Sequence, residues 1–341
     1  MKRIIKVLIL AGVLLFLGLM IMMVGIGFIL GDSNHHRNMT DNIPDVEETV
    51  KYETKTFTAE AEDIQKLVLD LTEEDVQIMP AEGEEITVEY VDLTDDPQYV
   101  VKSENGVLKI GRKSTEITGN IILMPPVLTK DNFKFDRENG QRYQYGDIVV
   151  RIPESYTGDY DMSYTSGSVD VEDIHVTGGM EFDLTSGAVR IDNVTGAQDL
   201  SVDLTSGEVR VRNASFDGNL YVNSTSGDIS LTATKIGGDL DVDATSGNCY
   251  ADQLTVKGSI GADLTSGDIY MEDLTLETAI EVSGTSGNVH VSLTDGMKEY
   301  TVRTDTVSGS CNLPTDYSGG AKRISVSTTS GDIDFQFMIQ E

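Results

Sequence analysis

Through residues 161–341 apolar and polar side chains alternate with a period of two. The runs Ser168-Val169-Asp170-Val171, Glu208-Val209-Arg210-Val211 and Asp268-Ile269-Tyr270-Met271 show it after one recurring landmark. The runs Met180-x-Phe182-x-Leu184 and Leu240-x-Val242-x-Ala244 show it before. This is the pattern of a strand with one buried face, and the helical period of 3.6 is missing. The alternation slips at two places in each unit. Val171 and Ile174 are an odd step apart, as are Leu184 and Val189, so the backbone must turn to keep both inside.

The landmark is the triplet Thr-Ser-Gly. It begins at Thr165, Thr185, Thr205, Thr225, Thr245, Thr265 and Thr285, a spacing of 20 residues. Two degenerate copies follow, Val307-Ser308-Gly309 and Thr329-Ser330-Gly331. A period this strict means a stack of equivalent units, each touching its neighbours. The predicted fold is all-β: a single-chain, right-handed parallel β-solenoid with about 20 residues per rung and rungs ~4.8 Å apart. Nine triplets would make a rod ~40 Å long. Glycine suits the sharp corner at Gly167, Gly187, Gly207, Gly227, Gly247, Gly267, Gly287, Gly309 and Gly331. Ser and Thr hydroxyls there can bond backbone within or between rungs. Gly179, Gly218 and Gly238 suggest a third corner.

Reading down the stack tests the register. The first inward column after the glycine is Val169, Val189, Val209, Ile229, Cys249, Ile269, Val289, Cys311 and Ile333. The second runs from Val171 to Leu313 and Phe335. Both are apolar if Cys counts as a small hydrophobe. The two cysteines fall three rungs apart, ~14 Å, too far for a disulfide, and both are expected to be buried free thiols. Phe335-Gln336-Phe337-Met338-Ile339 lies at the far end. Either the final strand folds over the last rung or this end docks on something.

Upstream the pattern changes three times. Residues 7–30 carry no charge, long enough to cross a bilayer as one helix. Lys2, Arg3 and Lys6 precede them, so residues 1–31 are expected to be a cytoplasmic basic end and an uncleaved signal anchor in the lipid bilayer, with the bulk of the chain outside. A cleaved signal peptide is the alternative. Residues 32–54 are polar and read as a juxtamembrane linker. His35 and His36 there are too few to make a metal site. Alternation resumes over 55–160, as irregular β rungs or a separate small β-domain. It is interrupted at about 112–146 by an inserted loop with Ile121-Ile122-Leu123-Met124-Pro125-Pro126. Phe133, Phe135, Tyr143 and Tyr145 in that loop are the candidate partner-binding residues, because long loops on regular scaffolds often carry binding.

Charge narrows the partners. The chain has 341 residues with 57 acidic against 25 basic. So acidic a surface argues against nucleic acid and anionic lipid. Acids and amides recur after six of the nine glycines (Glu208, Asp228, Asn248, Asp268, Asn288, Asp332) and two places before five of the seven exact triplets (Asp183, Asp203, Asn223, Asp243, Asp263), with Ser or Ala at the others. Calcium could be held by such oxygens, yet the glycine-rich nonapeptide loops of calcium-binding solenoids are absent, and solvated ladders are the expectation. No cofactor is expected. No Ser-His-Asp or phosphate-loop spacing occurs, and rungs of constant length leave no cleft for paired carboxylates. An enzyme is not expected.

An N-terminal anchor, irregular strands, a segment like Ile148 to Pro153 and then Ser-Gly-[Asp/Asn/Glu]-[Val/Ile] rungs resemble a bacterial family of unknown function labelled "putative adhesin", over roughly residues 55–340. The resemblance implies an exported β-helical protein with no catalytic motif. It implies a surface binding or adhesion-type scaffold whose partner is an envelope protein or a surface glycan. The alternative it implies is an accessory or regulatory protein of the envelope-stress response. A carbohydrate-active enzyme is the third reading. Fold alone does not choose among them.

Overall fold

The computed structural model describes residues 51–113 and 147–338. Among these the chain is an all-β parallel solenoid of about nine turns with roughly 20 residues per turn. The candidate anchor at 7–30 lies outside the described residues. No helix among the described residues is long and apolar enough to cross a membrane.

One rung shows the plan. Leu200–Arg212 runs as an extended strand that bends at Gly207. Asn213, with φ of 51°, turns the chain into the short strand Ser215–Phe216, and a third corner at residues 217–219 returns it to Leu220. Each segment pairs in parallel with its copy 20 residues on: Leu200 with Leu220, Val209 with Ile229, Ser215 with Lys235. The second corner is a column of left-handed residues, Asp173, Asn193, Asn213, Ala233, Gln253 and Asp273. Asn and Asp tolerate that conformation better than most side chains.

The inward columns are buried as their alternation requires. Val169, Val189, Val209, Ile229, Cys249, Ile269, Val289 and Ile333 are each at most 2% exposed. Phe182, Phe216 and Tyr160 fill the wider parts of the interior. At roughly 25 cal/mol per Å² of apolar surface removed from water, these continuous columns dominate the stability of the rod.

The rungs are not stacked in chain order at either end. Near the C-terminus Ala279–Ser286 pairs with Lys322–Ser330, and Lys322–Ser330 pairs in turn with Tyr300–Ser308. The last rung in sequence is therefore inserted between its two predecessors. Near the N-terminus Lys66–Leu71 pairs with Asp159–Tyr164 on one side and with Val107–Arg112 on the other. Likewise Asp75–Ala81 lies between the strand pairs of Ser168–Glu172 and Asp147–Pro153. Insertion gives the first and last rungs of the chain a hydrogen-bonding partner on both edges.

This arrangement corrects three expectations. The column containing the cysteines runs Cys249, Ile269, Val289, Ile333, Cys311, so they are four rungs apart, ~19 Å, and not three. Cys311, at the outermost rung, is only half-buried, although both thiols are free. Phe335 is 3% exposed and Ile333–Phe337 pairs in parallel with Val289–Leu293, so this strand is a rung of the stack and does not fold over its end. Residues 300–317 provide the cover, finishing with Asp316–Tyr317 antiparallel to Val302 and Arg303. At the opposite end, antiparallel strands Glu85–Leu93, Tyr52–Glu60 and Tyr99–Glu104 close the sheets. The excursion at 112–146 stands between Val107–Arg112 and Asp147–Pro153, where other rungs carry their glycine corner.

Candidate functional site

The second strand of each rung turns alternate side chains to solvent. One outward column runs Asp170, Arg190, Arg210, Ser230, Tyr250, Tyr270 and His290, each in register with the next. Its first half is charged and self-paired. Arg190 meets Asp170 at 3.2 Å, and Arg210 pairs with Glu208. In the adjacent column Arg212 pairs with Asp192, and that guanidinium holds the Asp192 carboxyl below the usual range. The second half is aromatic. Tyr250 and Tyr270 stack with ring centroids 5.6 Å apart and planes 6° apart. His290 follows 6.5 Å from Tyr270, and its Nδ1 lies 3.0 Å from Asp334 Oδ2. Tyr250 is 42% and Tyr270 38% exposed. A groove of about 440 Å³ beside them is lined by Thr232, Tyr250, Ala251, Asp252, Tyr270 and Glu272.

The polar column after each glycine has a structural job. The Asn248 N–H donates to Asp228 Oδ1 at 2.9 Å, Asp268 N–H to Asn248 Oδ1 at 3.0 Å, and Asn288 N–H to Asp268 Oδ1 at 2.7 Å. The ladder continues through Asp332 to Ser310, in the inserted rung order. A second ladder runs along the third corner from Asp199 through Asn219 and Asp239 to Ser259. Alternating Asp and Asn lets one side chain accept from the rung above while adjacent charges stay diluted. The first of these ladders runs through one of the two columns that the sequence offered as calcium ligands. Among the described residues no group of three or more His, Cys, Asp or Glu is arranged to hold a metal ion.

On the first-strand face the acids crowd more closely. Burial, then the neighbouring charges of Asp263 and Asp239, raises the Asp241 carboxyl, and burial with Asp241 and Asp263 does the same to Asp243. A groove of about 450 Å³ over Asn223, Asp243, Asp263 and Ser283 follows this column.

At the outer rungs two carboxylates, Glu74 and Asp92, are fully buried. Glu74 occupies the corner where its neighbour has Gly167. It accepts from the N–H groups of Thr72 at 2.7 Å and Glu73 at 2.9 Å, from Tyr99 Oη at 3.1 Å and from Arg112 Nε at 2.5 Å. Burial alone would raise its pKa. The two backbone donors and the guanidinium outweigh burial and hold it below the ordinary carboxylate value. Glu74 thus pins the antiparallel pair Tyr99–Glu104 and Val107–Arg112, which precedes the excursion at 112–146, to the rod.

Phe133, Phe135, Tyr143 and Tyr145 lie outside the described residues. The nine corner glycines all have φ between 116° and 140°. The stack of Tyr250 and Tyr270 and the Glu74 pin are not among the residues singled out in sequence. The tyrosines had a signal, because 250, 270 and 290 share the 20-residue register that defines the inward columns.

The profile of the Toastrack DUF4097 family matches residues 64–336. No curated protein matches significantly. Among solved structures, a "putative adhesin" from Parabacteroides distasonis ATCC 8503 is 11% identical, with 83% of this chain and 97% of that chain aligned and a TM-score of 0.46. A "putative adhesin" from Bacteroides fragilis NCTC 9343 is 13% identical over 83% of this chain and 97% of that one, with a TM-score of 0.36. A "putative lipid binding protein" from Parabacteroides distasonis ATCC 8503 is 13% identical over 82% and 96%, with a TM-score of 0.29. Because the family profile spans most of the sequence, this chain belongs to the Toastrack DUF4097 family.

Proposed function

We propose that the chain is a non-catalytic binding scaffold at a bacterial cell surface. Residues 7–30 anchor it in the membrane with the N-terminus inside, and the solenoid stands outside on the linker at 32–54. The rod winds right-handed, the favoured hand for crossovers between parallel strands. The observation that carries this reading is how the side chains are divided. Inward columns are apolar and packed, and corner oxygens bond the next rung. The pair Tyr250 and Tyr270 is left on a flat exposed face. A surface built this way suits contact with an extended partner better than enclosure of a substrate.

Surface crosslinking of intact cells expressing the full chain, with and without residues 115–145, tests the proposal. A protease-accessible solenoid that crosslinks to a discrete surface component is expected. Protection of the solenoid from external protease on intact cells would overturn the surface location. If the deletion leaves the crosslink unchanged, the excursion is not the binding element and the sheet face is.

A further inference from the structure

The two halves of the second-strand face treat their acids differently. Asp170, Asp192 and Glu208 are each neutralised by an arginine of this chain. Asp252 and Glu272 occupy the same column as Asp192, yet their carboxylates have no hydrogen-bond or ion-pair partner among the described residues. Both line the groove beside Tyr250 and Tyr270. Tyr270 covers one face of the Tyr250 ring. The neighbour on the other side is Ser230, which is too short to cover the second face. One groove therefore combines an open aromatic face with two uncompensated negative charges.

We propose that this groove binds an arginine or lysine side chain from a basic polypeptide segment. A cation within about 6 Å of a tyrosine ring centroid is attracted by the ring's quadrupole. Asp252 and Glu272 would accept its N–H donors, as Asp192, three rungs before Asp252 in the same column, accepts those of Arg212. The net charge of −32 draws cations toward the rod from a distance. A neutral sugar would stack on Tyr250 and bond the carboxylates and hydroxyls of this groove, but it would leave both negative charges uncompensated, and a cation does not. The inference deepens the surface-scaffold reading and rests on it.

Fluorescence anisotropy with the purified full chain and a labelled peptide of alternating Arg and Gly tests the site. The matching peptide with citrulline in place of Arg is the uncharged control. Tyr250→Ser is expected to weaken binding of the Arg peptide by about two- to fivefold. The pair Asp252→Asn and Glu272→Gln should weaken it further and flatten the salt dependence. Asp183→Asn with Asp203→Asn removes the same charge from the other sheet face and should change affinity less than about twofold. Equal losses in both double variants would reduce the effect to net charge and overturn the site. So would equal binding of the citrulline peptide. Binding of a labelled neutral cellohexaose that Tyr250→Ser abolishes would also overturn it, in favour of a glycan. In each of these cases the scaffold reading stands if surface crosslinking still succeeds, and it falls only with the location.

Discussion

Gly227 lies directly over Gly207 in the stack, and a β-carbon on Gly227 would fall 1.7 Å from the Gly207 carbonyl oxygen. With φ at 137°, the residue also holds a backbone conformation that L side chains rarely adopt. Gly227→Ala should therefore lower stability by about 1–3 kcal/mol from strain alone, and more from the collision. Thr225→Ala, at the exposed first position of the same triplet, should change it by less than about 0.5 kcal/mol. Urea denaturation of both variants checks the contrast. Equal effects would mean that the triplet is not a corner device.

The inserted C-terminal rung reverses the usual expectation that chain ends fray. Lys322–Ser330 is paired on both edges, and the Asn312 side chain adds two hydrogen bonds of 2.9 Å to the Phe335 backbone. Amide hydrogen exchange should find residues 322–330 as protected as Ile260–Ser266 near the middle of the rod. Deleting residues 321–341 should expose the rung at 279–293 and loosen 300–317. Rapid exchange throughout 322–330 would contradict the inserted order.

Acid should weaken the outer rungs through Glu74. Its folded pKa is depressed, so its contribution is complete above the unfolded value and is lost as pH falls through the lower folded one. Glu74→Gln removes the charge and should cost about 1–3 kcal/mol at pH 7, with a shallower decline on acidification. Asp241 and Asp243 act in the opposite sense. Their folded pKa values are raised, so their contribution is present below the unfolded value and lost as pH rises through the folded one. Asp243→Asn should stabilise the rod at neutral pH. Denaturation midpoints across pH 3–8 separate the two signs.

The two thiols should behave differently. Burial pushes the Cys249 thiol up to about 12, and its side chain is inaccessible. Cys311, half-buried at the outermost rung, should react with a thiol-specific disulfide reagent in the native protein. One fast equivalent and one released only on unfolding is the expected count. Two slow equivalents would mean that the end rung is covered.

The repeat was legible because every rung buries the same positions. Alternation and odd steps locate Val189, Val209 and Ile229 on one inward column without any coordinates. The rung order was not legible. The triplets at Val307 and Thr329 satisfy the same alternation whichever is stacked first, and only strand pairing decides. The strands of the rung at 66–81 show in their alternation, but its corner does not, because Thr72-Glu73-Glu74 replaces the triplet and is held by side-chain contacts from Tyr99 and Arg112. The left-handed column shows as Asp173, Asn193 and Asn213 but is blurred by Ala233 and Gln253. The tyrosine pair stood in plain register. Its meaning depends on which acids have partners, and that is a property of the folded face.

The account rests most on the claim that the exposed sheet face, and not the repeated triplet, makes contact at the surface. Photo-crosslinking on intact cells tests it, with a benzophenone side chain placed at position 250 in one variant and at position 225 in another. Discrete adducts from position 250 and none from 225 are the predicted result. Adducts from 225 alone, or from neither position on cells that display the chain, would contradict it.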